Sequence, residues 1–566
     1  MGERNLTRRH LLSYSSYLLA GFALTACGSS PQQTPSSSSS SPTSSRFRFA
    51  QAAPFLSLDP TATSRLESHR ITAQILEPIV SADPNTGLPT PSLAQDWQLS
   101  EDGLTYQFTL ADNLTYSDGS PLTAQDILSN LERWKSIASK PVSRITQPFH
   151  LLFSPQGQTQ PLLVSWKAPQ DQQLQLTLSR PSHSFLQALT QPCFRIMKPG
   201  SWERTDQGGY LLGTGAYKLS SLEGNRVTLS IQDHYRGNTP SISELEFITL
   251  PAADKRYFQL LEGGIDAYDQ ISLKDYVPLA LDGYPVQSRD PYALAYLNIN
   301  LSHPAFDDLR VRQALALALD PSPLVSSYYP QGSASAQDFL PALFQIRNDG
   351  EAATYRQDLT QAKTLLRAST YANQVIDFYY PLELATPALP SPEGIYSLLS
   401  AQLTKAGFNI NPKPYSWSDQ DSEDIPSSHP GYGLELTGFT GPYRDPLAFL
   451  SQVLAPAASA PSHISSPQST ASPTASPSPS PDPASWPTQS TSSYQSIMEA
   501  ISQADSLSDL KNRRQAYQQV NSLIAQLLPA VPLVYPVSAV TYRPAIKNYQ
   551  VRANCMDDFS SLSIQG

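Results

Sequence analysis

Residues 92–134 constrain the fold of this 566-residue chain more than any other stretch. Their first half alternates apolar with polar residues, the period-2 pattern of a half-buried strand. The apolar residues of this strand are Tyr106, Phe108 and Leu110. An Asp-Gly pair stands on either side, at residues 102–103 and 118–119, and glycine favours turns because it adopts positive φ angles without steric cost. This half therefore predicts a β-hairpin.

A helix is predicted directly after the second turn. Thr123 has the position of an N-cap, and Asp126, three residues later, has the position of its capping-box partner. Ile127, Leu131 and Trp134 follow at i, i+4 and i+7, which places them on one face of the helix. Hairpin and helix together predict a packed α+β unit.

Composition limits the class of protein. A chain of 566 residues is too long for one core, so two or three domains are expected. The net charge of −10, without a basic patch, argues against a nucleic-acid partner. The eight histidines form no paired metal-ligand spacing and no G-x-S-x-G elbow occurs, so nothing indicates an enzyme, a metal site or a cofactor. Cys193 and Cys555 form either one disulfide or two separate buried thiols.

Residues 1–27 have the features of an export signal. Arg8 and Arg9 precede an apolar segment that polar residues interrupt. The segment is too short and too polar for a typical transmembrane helix. The sequence from Leu24 to Cys27 resembles a bacterial lipobox, which implies that Cys27 is lipidated and becomes the mature N-terminus. The two arginines also resemble a twin-arginine signal, so Sec and twin-arginine export both stay open. Residues 28–45 are rich in Ser and Pro and predict a flexible tether.

The stretch that begins at Pro91 resembles a known family. It reads P-x-LA-x-x-W-x-x-S-x-DG-x-TY-x-F-x-L, and DG-x-P-x-TA-x-D follows from Asp118. These strings are similar to family 5 of the extracellular solute-binding proteins, the oligopeptide-, dipeptide- and nickel-binding components of ABC importers. One departure is Ala111, where the family often has Arg.

The resemblance implies an α/β fold with mixed sheets. The fold is the two-lobed periplasmic-binding-protein type II fold, cluster C, with an extra small subdomain in the N-terminal lobe. The implied boundaries place lobe I at 46–80, 206–295 and 539–566, its small subdomain at 81–205, and lobe II at 296–538. Residues 454–492 are a Ser/Pro-rich insertion that the family does not require, and we expect them to be disordered.

The resemblance also implies ligand contacts in the cleft between the lobes. From lobe I it implies Ser64, Leu66, Tyr268 and Asp269. From lobe II it implies Tyr296, Trp417, Phe439, Thr440, Tyr443 and Arg444. For Asp269 two interpretations are open, an acid that meets a ligand cation and a solvated loop carboxylate. For Trp417 an aromatic wall and core packing are equally open.

Residues 436–445 depart from the peptide-binding pattern. Pro442 stands where peptide binders have the Asp that meets the peptide α-amine, Phe439 replaces a Trp, and Leu436 replaces an Arg. A buried ammonium without a carboxylate partner is costly, so the standard amine contact does not carry over to this chain. Arg444 offers a guanidinium that suits bidentate recognition of a ligand carboxylate.

Three functions follow as hypotheses. The first is capture of peptides for an ABC permease in the cytoplasmic membrane. The second is a nickel-chelate or another small anionic ligand, suggested by Pro442 and Arg444. The third, suggested by the Ser/Pro-rich insertion, is a surface lipoprotein that acts as a sensor or adhesin. We expect an exported, lipid-anchored monomer that faces the periplasm or the cell exterior, with no cofactor.

Overall fold

The structure is a computed structural model that describes residues 45–154, 160–202, 211–346, 355–382, 385–416, 425–459 and 492–565. The signal segment with Cys27, the tether up to residue 44, Trp417 and most of the 454–492 insertion lie outside the described residues. Within the described residues, no helix is both long and apolar enough to cross a membrane.

The strands of the described residues are numbered in chain order. They are β1 (Arg46–Gln51), β2 (Val80–Ala82), β3 (Pro89–Pro91), β4 (Ala94–Leu99), β5 (Thr105–Leu110), β6 (Leu163–Gln170), β7 (Gln173–Leu178), β8 (Tyr217–Glu223), β9 (Arg226–Ile231), β10 (Glu244–Thr249), β11 (Ala267–Asp269), β12 (Val286–Arg289), β13 (Ala293–Ile299), β14 (Ala334–Ser335), β15 (Val375–Leu382), β16 (Asn409–Ser416), β17 (Leu434–Thr440), β18 (Ala530–Tyr535), β19 (Ser538–Tyr542), β20 (Ile546–Lys547) and β21 (Ser563–Ile564).

The α-helices of the described residues are numbered in the same way. They are α1 (Leu66–Ile75), α2 (Ala124–Ile137), α3 (Gln147–Phe153), α4 (Phe185–Ala188), α5 (Ala253–Leu261), α6 (Tyr276–Leu281), α7 (Leu309–Ala318), α8 (Ser322–Tyr328), α9 (Leu359–Ala368), α10 (Pro392–Ala406), α11 (Ile425–Ser428), α12 (Pro446–Leu454), α13 (Tyr494–Ser506) and α14 (Leu510–Leu527).

The four-stranded sheet contains the hairpin predicted from residues 92–134. Its strand order is β4-β5-β7-β6, and Trp97 on β4 lies opposite Phe108 on β5. At the start of α2 the backbone N–H of Thr123 donates to the Asp126 carboxylate at 2.8 Å, as a capping box requires. Ile127, Leu131 and Trp134 are fully buried against the sheet core. The predicted hairpin and helix are therefore confirmed.

A seven-stranded sheet collects strands from distant parts of the chain. Its order is β12-β19-β11-β1-β10-β9-β8. The central strand β1 runs parallel to β10 and β11, so that Phe49 pairs with Phe247 on one side and with Ala267 on the other. Phe47 and Phe49 are fully buried and both contact the ring of Phe559. Aromatic packing thus ties the C-terminal segment to the first strand.

A six-stranded sheet has the order β14-β18-β13-β17-β15-β16. The central strand β13 is antiparallel to both β17 and β18, and all seven of its residues are buried. Two short segments connect this sheet to the seven-stranded sheet, residues 290–292 between β12 and β13 and residues 536–537 between β18 and β19. β12 and β19, the strands of the seven-stranded sheet that border these two segments, pair with each other, and Arg289 lies opposite Ser538. The two connecting segments, here called the crossings, therefore lie side by side.

Both described cysteines, Cys193 and Cys555, are buried free thiols. Of the two sequence-based alternatives, separate thiols therefore hold. Burial raises the pKa of the Cys555 thiol, which keeps it in the protonated, unreactive form.

Candidate ligand-binding cavity

A cavity of about 190 Å³ lies among segments connected to the seven-, four- and six-stranded sheets. One wall is formed by residues 63–69, at the start of α1. A second comes from residues 144–148 and 191–193, which are connected to the four-stranded sheet. The third is formed by β13, by residues 386–388 and by the end of β17 with residues 441 and 442, on the side of the six-stranded sheet. The cavity is therefore shared between the parts of the molecule that the two crossings connect.

The first wall is held in place by the loop that precedes α1. The Asp59 carboxylate accepts from the backbone N–H and the hydroxyl of Thr61 at 3.0 and 2.9 Å, and it also pairs with the Arg133 guanidinium on α2. The hydroxyl of Ser68, on α1, accepts from the backbone N–H of Leu56 at 2.9 Å. These bonds fix the chain where it enters the helix, so residues 63–69 form a shaped surface.

Two titratable groups on the first wall have shifted pKa values. Glu67 is 3% exposed, and burial raises the pKa of its carboxyl above the ordinary value. Burial, helped by the guanidinium of Arg195, lowers the pKa of His69 to about 4. This wall therefore presents a buried carboxyl group, the guanidinium of Arg65 and, at neutral pH, an uncharged imidazole.

An ion pair connects two walls of the cavity. Arg144, between α2 and α3, donates through both terminal nitrogens to the two carboxylate oxygens of Glu435 on β17, at 2.6 and 2.7 Å. Their side chains are 11% and 1% exposed. Asn298 on β13 donates a further hydrogen bond to Glu435 at 3.1 Å. The pair thus joins the segment after α2 to the six-stranded sheet next to the ligand space.

The third wall is mostly aromatic and backbone surface. Tyr296 and Phe439 contact each other edge to face, with ring centroids 6.0 Å apart. β17 passes so close to its neighbours that a Cβ at Gly438 would lie 2.6 Å from the Ala388 Cβ and 2.7 Å from the Leu294 carbonyl oxygen. Glycine therefore allows β17 to approach here, and Phe439 and Thr440 reach the cavity.

The structure brings together some of the ligand residues predicted from sequence. Five of them line the cavity: Ser64, Leu66, Tyr296, Phe439 and Thr440. Four others are described but lie away from its lining: Tyr268, Asp269, Tyr443 and Arg444. Trp417 lies outside the described residues.

Asp269 and Tyr268 are structural in this arrangement. Asp269 is 1% exposed and its carboxylate pairs with Arg70 of α1, so the interpretation of a solvated carboxylate is wrong. Asp269 also does not line the cavity. Tyr268 is equally buried, with the Arg256 guanidinium 5.9 Å from its ring centroid. Both residues stabilise the sheet beneath the first wall.

Arg444 and Tyr443 lie at a different contact. The Nη1 of Arg444 donates to the backbone carbonyl of Asn85 at 2.6 Å, in the turn between β2 and β3. Gly87 in this turn has a φ of +70°, and a Cβ there would lie 2.6 Å from the Arg444 Cβ. Tyr443 and Arg444 both border a separate cavity of about 50 Å³. The arginine predicted to meet a ligand carboxylate thus contacts a turn of the protein itself.

Among the ionisable cavity residues that the sequence analysis missed are Glu67, His69, Arg144 and Glu435. For Glu435 a signal existed, because it interrupts an apolar run on a strand and a charge in such a run needs a partner. For the other three no local pattern distinguishes them from surface residues. Among the described residues, no group of three or more His, Cys, Asp or Glu side chains is placed to hold a metal ion.

Residues 89–461 match the family described as bacterial extracellular solute-binding proteins, family 5 Middle. The chain belongs to this family. The family consists of solute-binding proteins, so the sequence-based prediction of a family 5 protein that is not an enzyme is confirmed.

The relatives in this family have low sequence identity to this chain, but their alignments cover most of it. The dipeptide-binding protein of Escherichia coli K12 is 25% identical over 386 residues, 65% of this chain and 71% of that protein. The heme-binding protein A of Haemophilus influenzae is 23% identical over 495 residues, 84% of each chain.

Solved structures of family members share the fold. The periplasmic binding protein DppA of Helicobacter pylori, in complex with the peptide STSA, has a TM-score of 0.74 at 20% identity and covers 92% of this chain and 98% of its own. NikA of Staphylococcus aureus, in complex with Ni(L-His)2, has a TM-score of 0.70 at 16% identity, with 92% of this chain and 100% of its own covered. The predicted two-lobed type II periplasmic-binding fold is therefore confirmed.

Proposed function

We propose that this chain is the substrate-binding component of an ABC importer and that it captures a short peptide in the central cavity. The observation that carries the proposal is the lining of that cavity, which combines carboxyl groups, guanidinium groups and aromatic rings between the lobes. A short peptide is a zwitterion whose side chains can add apolar surface, and buried charges need partners of opposite sign. The dipeptide-binding and DppA relatives support this ligand class.

The size of the cavity favours a short ligand. About 190 Å³ is less than the roughly 300–1,000 Å³ that pockets for drug-sized ligands occupy. Because the cavity walls come from both sides of the two crossings, a ligand that contacts all of them favours the closed arrangement over an open one. A micromolar Kd would supply about 8 kcal/mol for binding and closure together. We propose that the closed form delivers its ligand to a membrane permease.

The nickel-chelate hypothesis finds no support at Arg444, the residue that suggested it. Its guanidinium contacts the Asn85 carbonyl and borders the smaller cavity. The sensor or adhesin hypothesis depends on the 454–492 insertion, most of which lies outside the described residues. We therefore advance peptide capture alone.

We further propose that Cys27 carries a lipid anchor and that residues 28–45 tether the binding domain to the membrane as a monomer. The lipobox-like residues from Leu24 to Cys27 support this proposal. Metabolic labelling with a radioactive fatty acid tests it. We expect label in the wild type and none in Cys27→Ala, and equal labelling of both would contradict the anchor.

A thermal-shift screen of the purified mature protein tests the ligand class. Dipeptides, tripeptides, Ni(L-His)2 and hemin are compared at matched concentrations. A peptide at 100 times its Kd should raise the free energy of unfolding by about 2.7 kcal/mol and so raise the Tm. A Tm raised by Ni(L-His)2 or hemin but by no peptide would contradict peptide capture.

A further inference from the structure

We propose that Glu67 is the carboxylate that receives the cationic amine of the bound ligand. The inference rests on the proposed function and sharpens it, because it makes a free ammonium group a requirement for tight binding. It also assigns this contact to the first cavity wall rather than to residues 436–445, where Pro442 occupies the position of the acid used by peptide binders.

Glu67 is a buried acid without a side-chain partner. It lines the cavity and is 3% exposed. Within the part of the chain that the structure describes, its carboxylate accepts from its own backbone N–H, and no other side chain forms an ion pair or a hydrogen bond with it. Arg70, one helical turn further along α1, pairs with Asp269 instead. A carboxylate removed from water without a partner is costly, and a ligand ammonium in the cavity would offset that cost.

The other acid among the described lining residues is already engaged. Glu435 accepts two hydrogen bonds from Arg144 and one from Asn298, so most of the acceptor sites of its carboxylate are occupied. Glu67, on the first wall, is therefore the acid of the described lining whose carboxylate has no side-chain hydrogen bond and can receive the ligand amine.

The charges around Glu67 agree with this role. Arg65 and Arg70 favour its ionised form, whereas burial and the negative charge of Asp269 oppose it. His69, on the same wall, has a pKa of about 4 and adds no competing positive charge at neutral pH. An incoming ammonium would add a further positive charge that favours the ionised form of Glu67.

A purely structural role for Glu67 makes a different prediction. An acid in the first turn of a helix interacts favourably with the helix dipole, and this requires no ligand. Asp254 occupies the first turn of α5 and is 62% exposed, away from the cavity. Asp254→Asn therefore serves as a matched control that loses a first-turn charge without touching the cavity.

Isothermal titration calorimetry with matched ligands tests the inference. The probes are Ala-Ala, Leu-Leu and Ala-Ala-Ala, each compared with its N-acetylated form, which has no ammonium group. We expect the wild type and Asp254→Asn to bind the free-amine probes at least tenfold more tightly than the acetylated ones. Glu67→Gln keeps the shape of the side chain but not the charge, so we expect its preference to fall below about twofold.

The outcomes separate this inference from the proposed function. If Glu67→Gln keeps the full preference for the free amine, or if the wild type binds both forms equally, the role of Glu67 is overturned while peptide capture stands. If the wild type binds no form of any probe, peptide capture and the role of Glu67 both fail. Circular dichroism of Glu67→Gln establishes that it is folded, and loss of the preference in a folded variant supports the inference.

Discussion

Residues 63–69 and residues 436–445 face the same cavity and contribute opposite kinds of surface. The first segment supplies the buried Glu67 and His69. The second supplies the Phe439 ring and the backbone of a closely packed strand, while the guanidinium of Arg444 lies away from the cavity lining and contacts the β2–β3 turn. The start of α1 therefore provides the charged groups for ligand recognition, and the end of β17 provides the shape of the cavity wall.

The Arg144–Glu435 pair holds the surroundings of the two segments together, and breaking it should have the largest effect. We expect Glu435→Ala to lower the free energy of unfolding by about 3–5 kcal/mol, because it leaves the mostly buried guanidinium of Arg144 without this carboxylate. The double variant Arg144→Met, Glu435→Leu should be more stable than Glu435→Ala, since both charges are removed. Urea denaturation of the ligand-free protein measures these differences.

The exposed pair between Lys274 and Asp254 is the control for that comparison. Its side chains are 63% and 62% exposed, so Lys274→Ala should lower the free energy of unfolding far less than Glu435→Ala does. If Glu435→Ala and Lys274→Ala have the same cost, the ion pair across the cavity does not hold the walls in place.

His69 should make the first segment sensitive to acid. Burial lowers its pKa from 6.5 to about 4, so the folded state keeps the imidazole neutral whereas the unfolded state takes up a proton below about pH 6.5. Stability should therefore fall as the pH drops from about 6.5 to about 4, by about 3 kcal/mol in total from this residue.

The comparison with His69→Gln isolates this effect. Gln does not titrate, so the stability of this variant should fall less over the same pH range than that of the wild type. Thermal unfolding at pH 7 and at pH 4.5 measures the two slopes, and His234→Gln, at an exposed position, is the control. Identical slopes for the wild type and His69→Gln would show that His69 is not the acid-sensitive group of this wall.

The parts of the fold that local pattern specifies were predictable. Residues 92–134 form the predicted hairpin and helix because strand alternation, turn glycines and a capping box act within a few residues of one another. The resemblance to the family identified Ser64, Leu66, Tyr296, Phe439 and Thr440, all of which line the cavity.

The pairing of the charged groups was not predictable in the same way. Asp269 is taken by Arg70, 199 residues away, and Glu435 by Arg144, 291 residues away. No local pattern encodes such partners, because they meet only when distant segments of the chain assemble. Arg444 was misplaced for the same reason, since its acceptor is a backbone carbonyl, a group that every residue carries.

Arg444→Ala should have the smallest effect and decides whether the contrast between the two segments is correct. Arg444 is exposed and loses one charge-assisted hydrogen bond to the Asn85 carbonyl, so we expect a decrease of about 1 kcal/mol in the free energy of unfolding. Its guanidinium lies away from the cavity lining, so the affinity for Ala-Ala at pH 7 should change by less than about twofold. Calorimetric titration alongside Glu67→Gln measures both variants under one condition. A loss of affinity of tenfold or more in Arg444→Ala, with Glu67→Gln unaffected, would assign charge recognition to residues 436–445 and reverse the roles of the two segments.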